Sequence, residues 1–117
     1  MKKKRIGNLI IKINKDNEST FMDWTGHSND INPAEKLVPF FDDLIDEVKG
    51  NLEITFLNLN FMNSSTIYPL IMFIRKLNEK KIKTIIKYDK NSGWQRTSFK
   101  AMETLAKVLE NIRVIGI

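Results

Sequence analysis

A small single-domain α/β fold with a mixed β-sheet is predicted by three features of this chain. Beyond residue 30, apolar residues switch repeatedly between period-two alternation and three-and-four spacing, the signatures of strands and helices. Strands separated by helices pair in parallel through right-handed crossovers. At the front, two β-rich segments flank the polar turn Lys15-Asp16-Asn17-Glu18, as in an antiparallel hairpin. The length of 117 residues suits one domain, and a hydrophobic share of 42% supplies an ordinary core.

The elements follow in order. Leu9 to Ile13 and Phe21 to Thr25 form the hairpin, and Gly26 to Asn32 reads as a loop. Asn32 can cap a helix, Pro33 suits its first position and Glu35 can reach back as in a capping box. Leu37, Phe40, Phe41, Leu44, Ile45 and Val48 continue at helical spacing, Pro39 should kink the helix, and Gly50 should end it. Leu52, Ile54 and Phe56 alternate with wetter residues, as in a strand. Ile67, Leu70, Ile71, Ile74 and Leu77 mark the core face of a second helix. Thr84, Ile86 and Tyr88 share one side of the next strand. Ser92-Gly93-Trp94-Gln95 can form another capping box, followed by a third helix through Phe99, Met102, Leu105, Ala106 and Leu109. Val114 to Ile117 is a terminal strand.

Composition removes several classes of function. There is no cysteine, hence no disulfide framework and no thiolate site. The one histidine, His27, rules out a multi-histidine metal centre and stands in a predicted loop with no partner for acid–base work. Asp42, Asp43, Asp46 and Glu47 form an acidic helix face, which is commonly just solvated. The glycines form no nucleotide-cradling pattern. No enzyme activity and no cofactor are expected. No apolar run is long enough to span a membrane and no signal peptide is visible, so a cytoplasmic protein is expected. The net charge of +5 owes four positive charges to Lys2, Lys3, Lys4 and Arg5. Residues 1–8 therefore read as a basic N-terminal tail and 9–117 as the domain. Such a tail can touch nucleic acid or anionic lipid, but is more often a solvated terminus. The body carries no matching basic stripe with interleaved aromatics, so neither partner is expected.

The most informative stretch is Phe61-Met62-Asn63-Ser64-Ser65-Thr66-Ile67, where a strand turns into a helix. A helix start presents unpaired N–H groups and a partial positive charge. Ser64 and Ser65 can cap such a start, and the same place can hold a phosphate. At 100° per residue, Tyr68 and Met72 point away from the predicted core face. They form a binding patch unless another element covers them. Pro69 stiffens the first turns.

The element order, with this turn after the third strand, resembles the STAS domains, the anti-sigma factor antagonists and their relatives. The resemblance covers roughly Thr20 to Ile117. That family shows aspartate, serine, serine and glycine at this turn. Its first serine is phosphorylated by a partner-switching kinase of histidine-kinase-like ATPase fold and dephosphorylated by a PP2C-type phosphatase. The resemblance implies Ser64 as phospho-acceptor, with Asn63 in the aspartate place, Ser65 as the second serine and Thr66 in the glycine place. Asn63 lacks the usual carboxylate and Thr66 is bulkier than glycine. Asn63-Ser64-Ser65 is similar to the turn of a divergent branch, the SiaC-type bacterial regulatory phosphoproteins, and Trp94-Gln95-Arg96-Thr97-Ser98-Phe99 is similar too. The implied function is a phosphorylation-controlled protein–protein interaction domain in bacterial signalling, with a downstream regulatory partner. The alternative is a constitutive scaffold or ligand-sensing module in which Ser64 only caps its helix. Asn63, Ser65, Thr66, Tyr68, Met72, Trp94 and Arg96 are the expected partner contacts. Trp94 can instead pack as core, and Arg96 is expected near a phosphate on Ser64 because both loops leave the C-terminal ends of parallel strands.

Overall fold

The computed structural model describes residues 2–117. It is an α/β domain in which one mixed sheet carries three helices. The strands are β1 (Lys2–Ile6), β2 (Leu9–Lys15), β3 (Ser19–Ser28), β4 (Asn51–Thr55), β5 (Leu59–Met62), β6 (Thr84–Tyr88) and β7 (Ile112–Gly116). The helices are α1 (Ala34–Glu47), α2 (Ser64–Glu79) and α3 (Gly93–Ala106). The sheet order is β1-β2-β3-β4-β6-β7, with β5 also paired to β3. The β1, β2 and β3 pairings are antiparallel, and every pairing beyond β3 is parallel.

The alternating residues of the strands decide where the core lies. Ile11, Ile13, Met22, Trp24, Leu52, Ile54 and Ile86 line one face of the sheet and are buried with the helix residues Leu37, Phe41, Leu44, Phe73, Leu77 and Phe99. Aromatic rings make much of that contact. Phe41 of α1 stacks on Phe73 of α2 with centroids 4.2 Å apart, and Trp24 meets Phe56 at 5.0 Å. Truncating a buried aromatic ring of this kind costs about 3–5 kcal/mol. The opposite face, with Lys12, Asp23, Glu53, Thr55 and Lys87, has no residue in the core cluster.

Several expectations are corrected. Lys2–Ile6, read as part of a basic tail, is a strand. Its register on β2 places Ile6 opposite Leu9, and both are buried, which anchors the segment. Residues 26–28, read as loop, extend β3 because it changes partner there. β4 pairs with Ser19–Asp23, and the new strand β5 pairs with Gly26–Ser28 after a register shift at Gly26/His27. Gly26 permits the shift. Its φ is +87°, and a Cβ would lie 2.1 Å from the Asn8 carbonyl oxygen, which also accepts from His27 N–H.

On α1, Pro33 rather than Asn32 is the cap residue, without a side-chain cap bond, and Asn32 Nδ2 instead donates to Glu35 at 3.3 Å. The helix continues through Pro39 and ends before Val48, which is extended. The core face of α2 is rotated from the expected one. Thr66, Pro69, Leu70, Phe73, Ile74 and Leu77 are buried, while Ile67 and Ile71 are half-buried. The stack of Phe73 on Phe41 draws that side of the helix inward.

Candidate functional site

The serine turn is built from Asn63 outward. β5 ends with the buried Met62, and Asn63 N–H donates to the Ser28 carbonyl at 2.9 Å, extending the β3–β5 ladder. Asn63 then caps α2 in an extended conformation, its Oδ1 accepting from Thr66 N–H at 3.1 Å. The same oxygen accepts from Thr66 Oγ1 at 2.6 Å, while Asn63 Nδ2 donates to the Asp30 carbonyl at 2.8 Å. The Thr66 hydroxyl proton is thereby committed, so at the 2.8 Å contact Ser28 Oγ must donate to Thr66 Oγ1. Proton donation thus runs from Ser28 to Thr66 to Asn63, and a second bond ties Asn63 to the loop ahead of α1.

This network gives Asn63 and Thr66, the two residues at which the turn departs from the resembled pattern, a structural role. An aspartate at position 63 could still cap the helix but could not donate to Asp30 O. Thr66 is completely buried and supplies a hydroxyl that glycine lacks. Thr66, expected among the partner contacts, therefore acts inward and orients the turn. Asn63 is half-buried and shares that task.

Ser64 and Ser65 are the first two residues of α2, and both are exposed. Neither is the cap, because Asn63 holds that position. Tyr68, one turn on, is 67% exposed. Two further apolar side chains flank the turn that sequence reasoning missed: Ile31 at 96% exposure and Phe61 at 43%. Ile31 follows the residue whose carbonyl Asn63 holds, and Phe61 lies two residues before Asn63. The available signal was an unpartnered apolar residue in the polar run Asn29-Asp30-Ile31-Asn32. Beside it, the N–H of Asn32 and the ammonium of Lys36 hold the Asp30 carboxyl below the usual carboxylate range.

Met72 does not extend this patch. It is half-buried in the groove between α1 and α2, beside Val38, Phe41 and Lys76, because the rotation of α2 turns it toward α1. Trp94 is half-buried against the core, and the exposed Arg96 donates from its guanidinium to the Lys90 carbonyl at 3.0 Å. Their neighbour Gln95 makes the link between loops. Ser92 forms no side-chain cap bond, and Gln95, expected to close a capping box, is buried. Its amide nitrogen donates to the carbonyls of Phe56 (2.7 Å) and Leu59 (3.1 Å), and its oxygen accepts from Asp89 N–H (2.8 Å). The loops after β4 and β6 are thus clamped at the start of β5. Ser64 lies past the other end of that strand, roughly 13 Å along for four residues.

The acidic face of α1 is partly paired, Asp42 with Lys76 at 2.6 Å and Glu47 with Lys2 at 3.1 Å. Among the described residues no group of three or more His, Asp or Glu is arranged to hold a metal ion, and no helix is long and apolar enough to cross a membrane.

Comparison with known proteins gives a fold. No family model matches the chain, and no curated protein matches its sequence. Among solved structures it is similar to the anti-sigma factor antagonist SpoIIAA in its unphosphorylated form, with 17% identity and a TM-score of 0.61 over 90% of this chain and 87% of that one. It is similar to the phosphorylated form of SpoIIAA, a Bacillus cell fate determinant, with 17% identity and a TM-score of 0.62 over 90% of each chain. A DUF3478-family protein of Shewanella loihica PV-4 with a SpoIIAA-like fold matches with 8% identity and a TM-score of 0.56, over 96% of this chain and 88% of that one. The chain has the SpoIIAA-like STAS fold.

Proposed function

We propose that this chain is a phosphorylation-controlled protein–protein interaction domain of bacterial signalling, acting in the cytoplasm in the manner of an anti-sigma factor antagonist, with Ser64 as its switch. The observation that carries the reading is the division of labour at the turn. Asn63 takes the cap, which leaves the Ser64 hydroxyl exposed at the first position of α2. A phosphate there adds about two negative charges where the helix dipole favours them, so the fold accepts it. The change falls on the surface. Ile31, Phe61 and Tyr68 offer apolar contact around the serines, and a partner that packs dry surface over them would meet a buried, unpaired charge after phosphorylation. Ser65 lies within this surface, whereas Trp94 and Arg96, at the other end of β5, lie outside it. The modifying enzymes are a serine kinase of histidine-kinase-like ATPase fold and a PP2C-type phosphatase. The availability of SpoIIAA in both forms supports a fold of this type tolerating the group. The likeness to SiaC-type proteins rests on the sequence of the turn.

The test is phosphopeptide mapping from native cells together with titration of Ser64→Ala and Ser64→Asp against a captured partner. Phosphate on Ser64, binding by the alanine variant and failure of the aspartate variant are expected. Ser64→Ala should change stability by no more than about 0.5 kcal/mol, since the cap is Asn63. Ser64→Asp should be neutral or stabilising by roughly 0.3–1 kcal/mol. Phosphate confined to Ser65, or equal binding by both variants, would reject the switch.

A further inference from the structure

The edge of the sheet formed by β1 carries a second surface, independent of the serine turn. β2 holds one side of β1, and among the described residues no strand pairs with the other. Alternate backbone N–H and C=O groups of β1 therefore point outward. Four of its five residues are cationic: Lys2, Lys3, Lys4 and Arg5. Lys2 reaches Glu47 at 3.1 Å, whereas Lys3, Lys4 and Arg5 take part in none of the ion pairs of the described residues. The register sets Lys3 directly opposite Lys12, a repulsive cross-strand pair. Asp23 on β3 faces Lys12 from its other side. Lysine on an edge strand deters edge-to-edge association. One such charge serves that purpose. Here the charges run in succession on both faces of the strand and repel a neighbour within the hairpin.

We infer that the free edge of β1 receives an acidic, extended segment of another protein as an added strand. The segment's main chain would bond the outward groups of β1. Its carboxylates would alternate between Lys3 and Arg5 on one face and Lys2 and Lys4 on the other, matching the period-two display of both strands. Charge complementarity selects the occupant, and the unpaired ladder selects its conformation. Nucleic acid would leave the ladder groups unused and would find no aromatic side chain on β1 or β2 to stack against. Lipid would find no exposed apolar side chain on β1 to bury, since its one apolar residue, Ile6, lies in the core.

The full chain is titrated with a ten-residue peptide alternating glutamate and threonine, with the same peptide carrying lysine for glutamate, with an oligothymidylate and with phosphatidylserine-containing vesicles. Amide exchange is followed by NMR. The acidic peptide should bind and slow exchange at alternate amides of β1 while leaving β7 unchanged. The double variant Lys3→Glu, Arg5→Glu should weaken binding by about tenfold or more. Lys100→Glu on α3 makes the same kind of charge change away from the edge and should leave binding unaltered. Circular dichroism melts verify that each variant is folded. Binding of oligothymidylate or vesicles in place of the acidic peptide would replace strand addition with a phosphate-binding patch. Peptide binding without protection of β1 amides would reject the added strand. Absence of all binding would reduce the lysines to a guard on the edge.

Discussion

Asn63 does three things with one side chain: it caps α2, orients Thr66 and ties down the Asp30 carbonyl. Only an amide can accept and donate in this way. Asn63→Asp should therefore keep the cap yet cost about 1–2 kcal/mol, because Asp30 O loses its donor and faces a carboxylate. Urea denaturation would read the loss, with faster amide exchange at residues 29–32; unchanged values would mean that the bond to the loop contributes nothing. The sequence offers Ser64 and Ser65 as caps of α2, whereas Asn63 takes that place. The spacing that carries the cap is Asn63 to Thr66, the distance from an N-cap to the third helical position. The burial of Thr66 is not legible in the sequence, because it depends on Ser28, at the end of a strand whose last residues read as loop.

At the scale of elements, the helices and most strands follow from period and punctuation, while the boundaries follow from tertiary contacts. β5 was hidden because Leu59–Met62 is too short to show alternation, and its pairing requires β3 to continue past Gly26. Gln95 shows how local chemistry misleads. Its spacing from Ser92 matches a capping box, but the side chain turns inward to bond three backbone groups, of which the Phe56 carbonyl also accepts from Leu59 N–H. Gln95→Leu keeps the bulk and removes those bonds, so it should cost about 2–4 kcal/mol by leaving buried groups unsatisfied. Arg96→Ala, one residue away and exposed, should stay within about 0.5 kcal/mol. Thermal melts of the pair decide this, and similar midpoints would show that the clamp is dispensable.

Over the whole molecule, the helix-free face of the sheet contains a group that works against folding at neutral pH. Burial raises the Asp23 carboxyl above its ordinary value, with Lys12 only partly offsetting it, and Asp23 Oδ1 has no hydrogen-bond partner. A raised carboxyl destabilises the fold above its folded value, and the loss is recovered as pH falls through that value. Asp30 behaves oppositely: its lowered pKa contributes stability that is present above pH 3.8 and is lost as pH falls below it. Asp23→Asn should therefore raise the melting midpoint at pH 7, with a gain that shrinks on acidification; a gain independent of pH would locate the effect elsewhere. The hydrogen-bond chain from Ser28 through Thr66 to Asn63 bears on how the proposed switch would be reached by a modifying enzyme. The turn cannot unwind without exposing Thr66 and breaking its bonds to Ser28 and Asn63, so under the proposed switch a kinase would have to accept Ser64 in its folded, helical setting. Recognition would then rest on three-dimensional shape and not on a linear consensus. A free peptide spanning residues 58–72 should be a far poorer substrate than the intact domain, and comparable turnover of the two would show that the enzyme reads the chain unfolded.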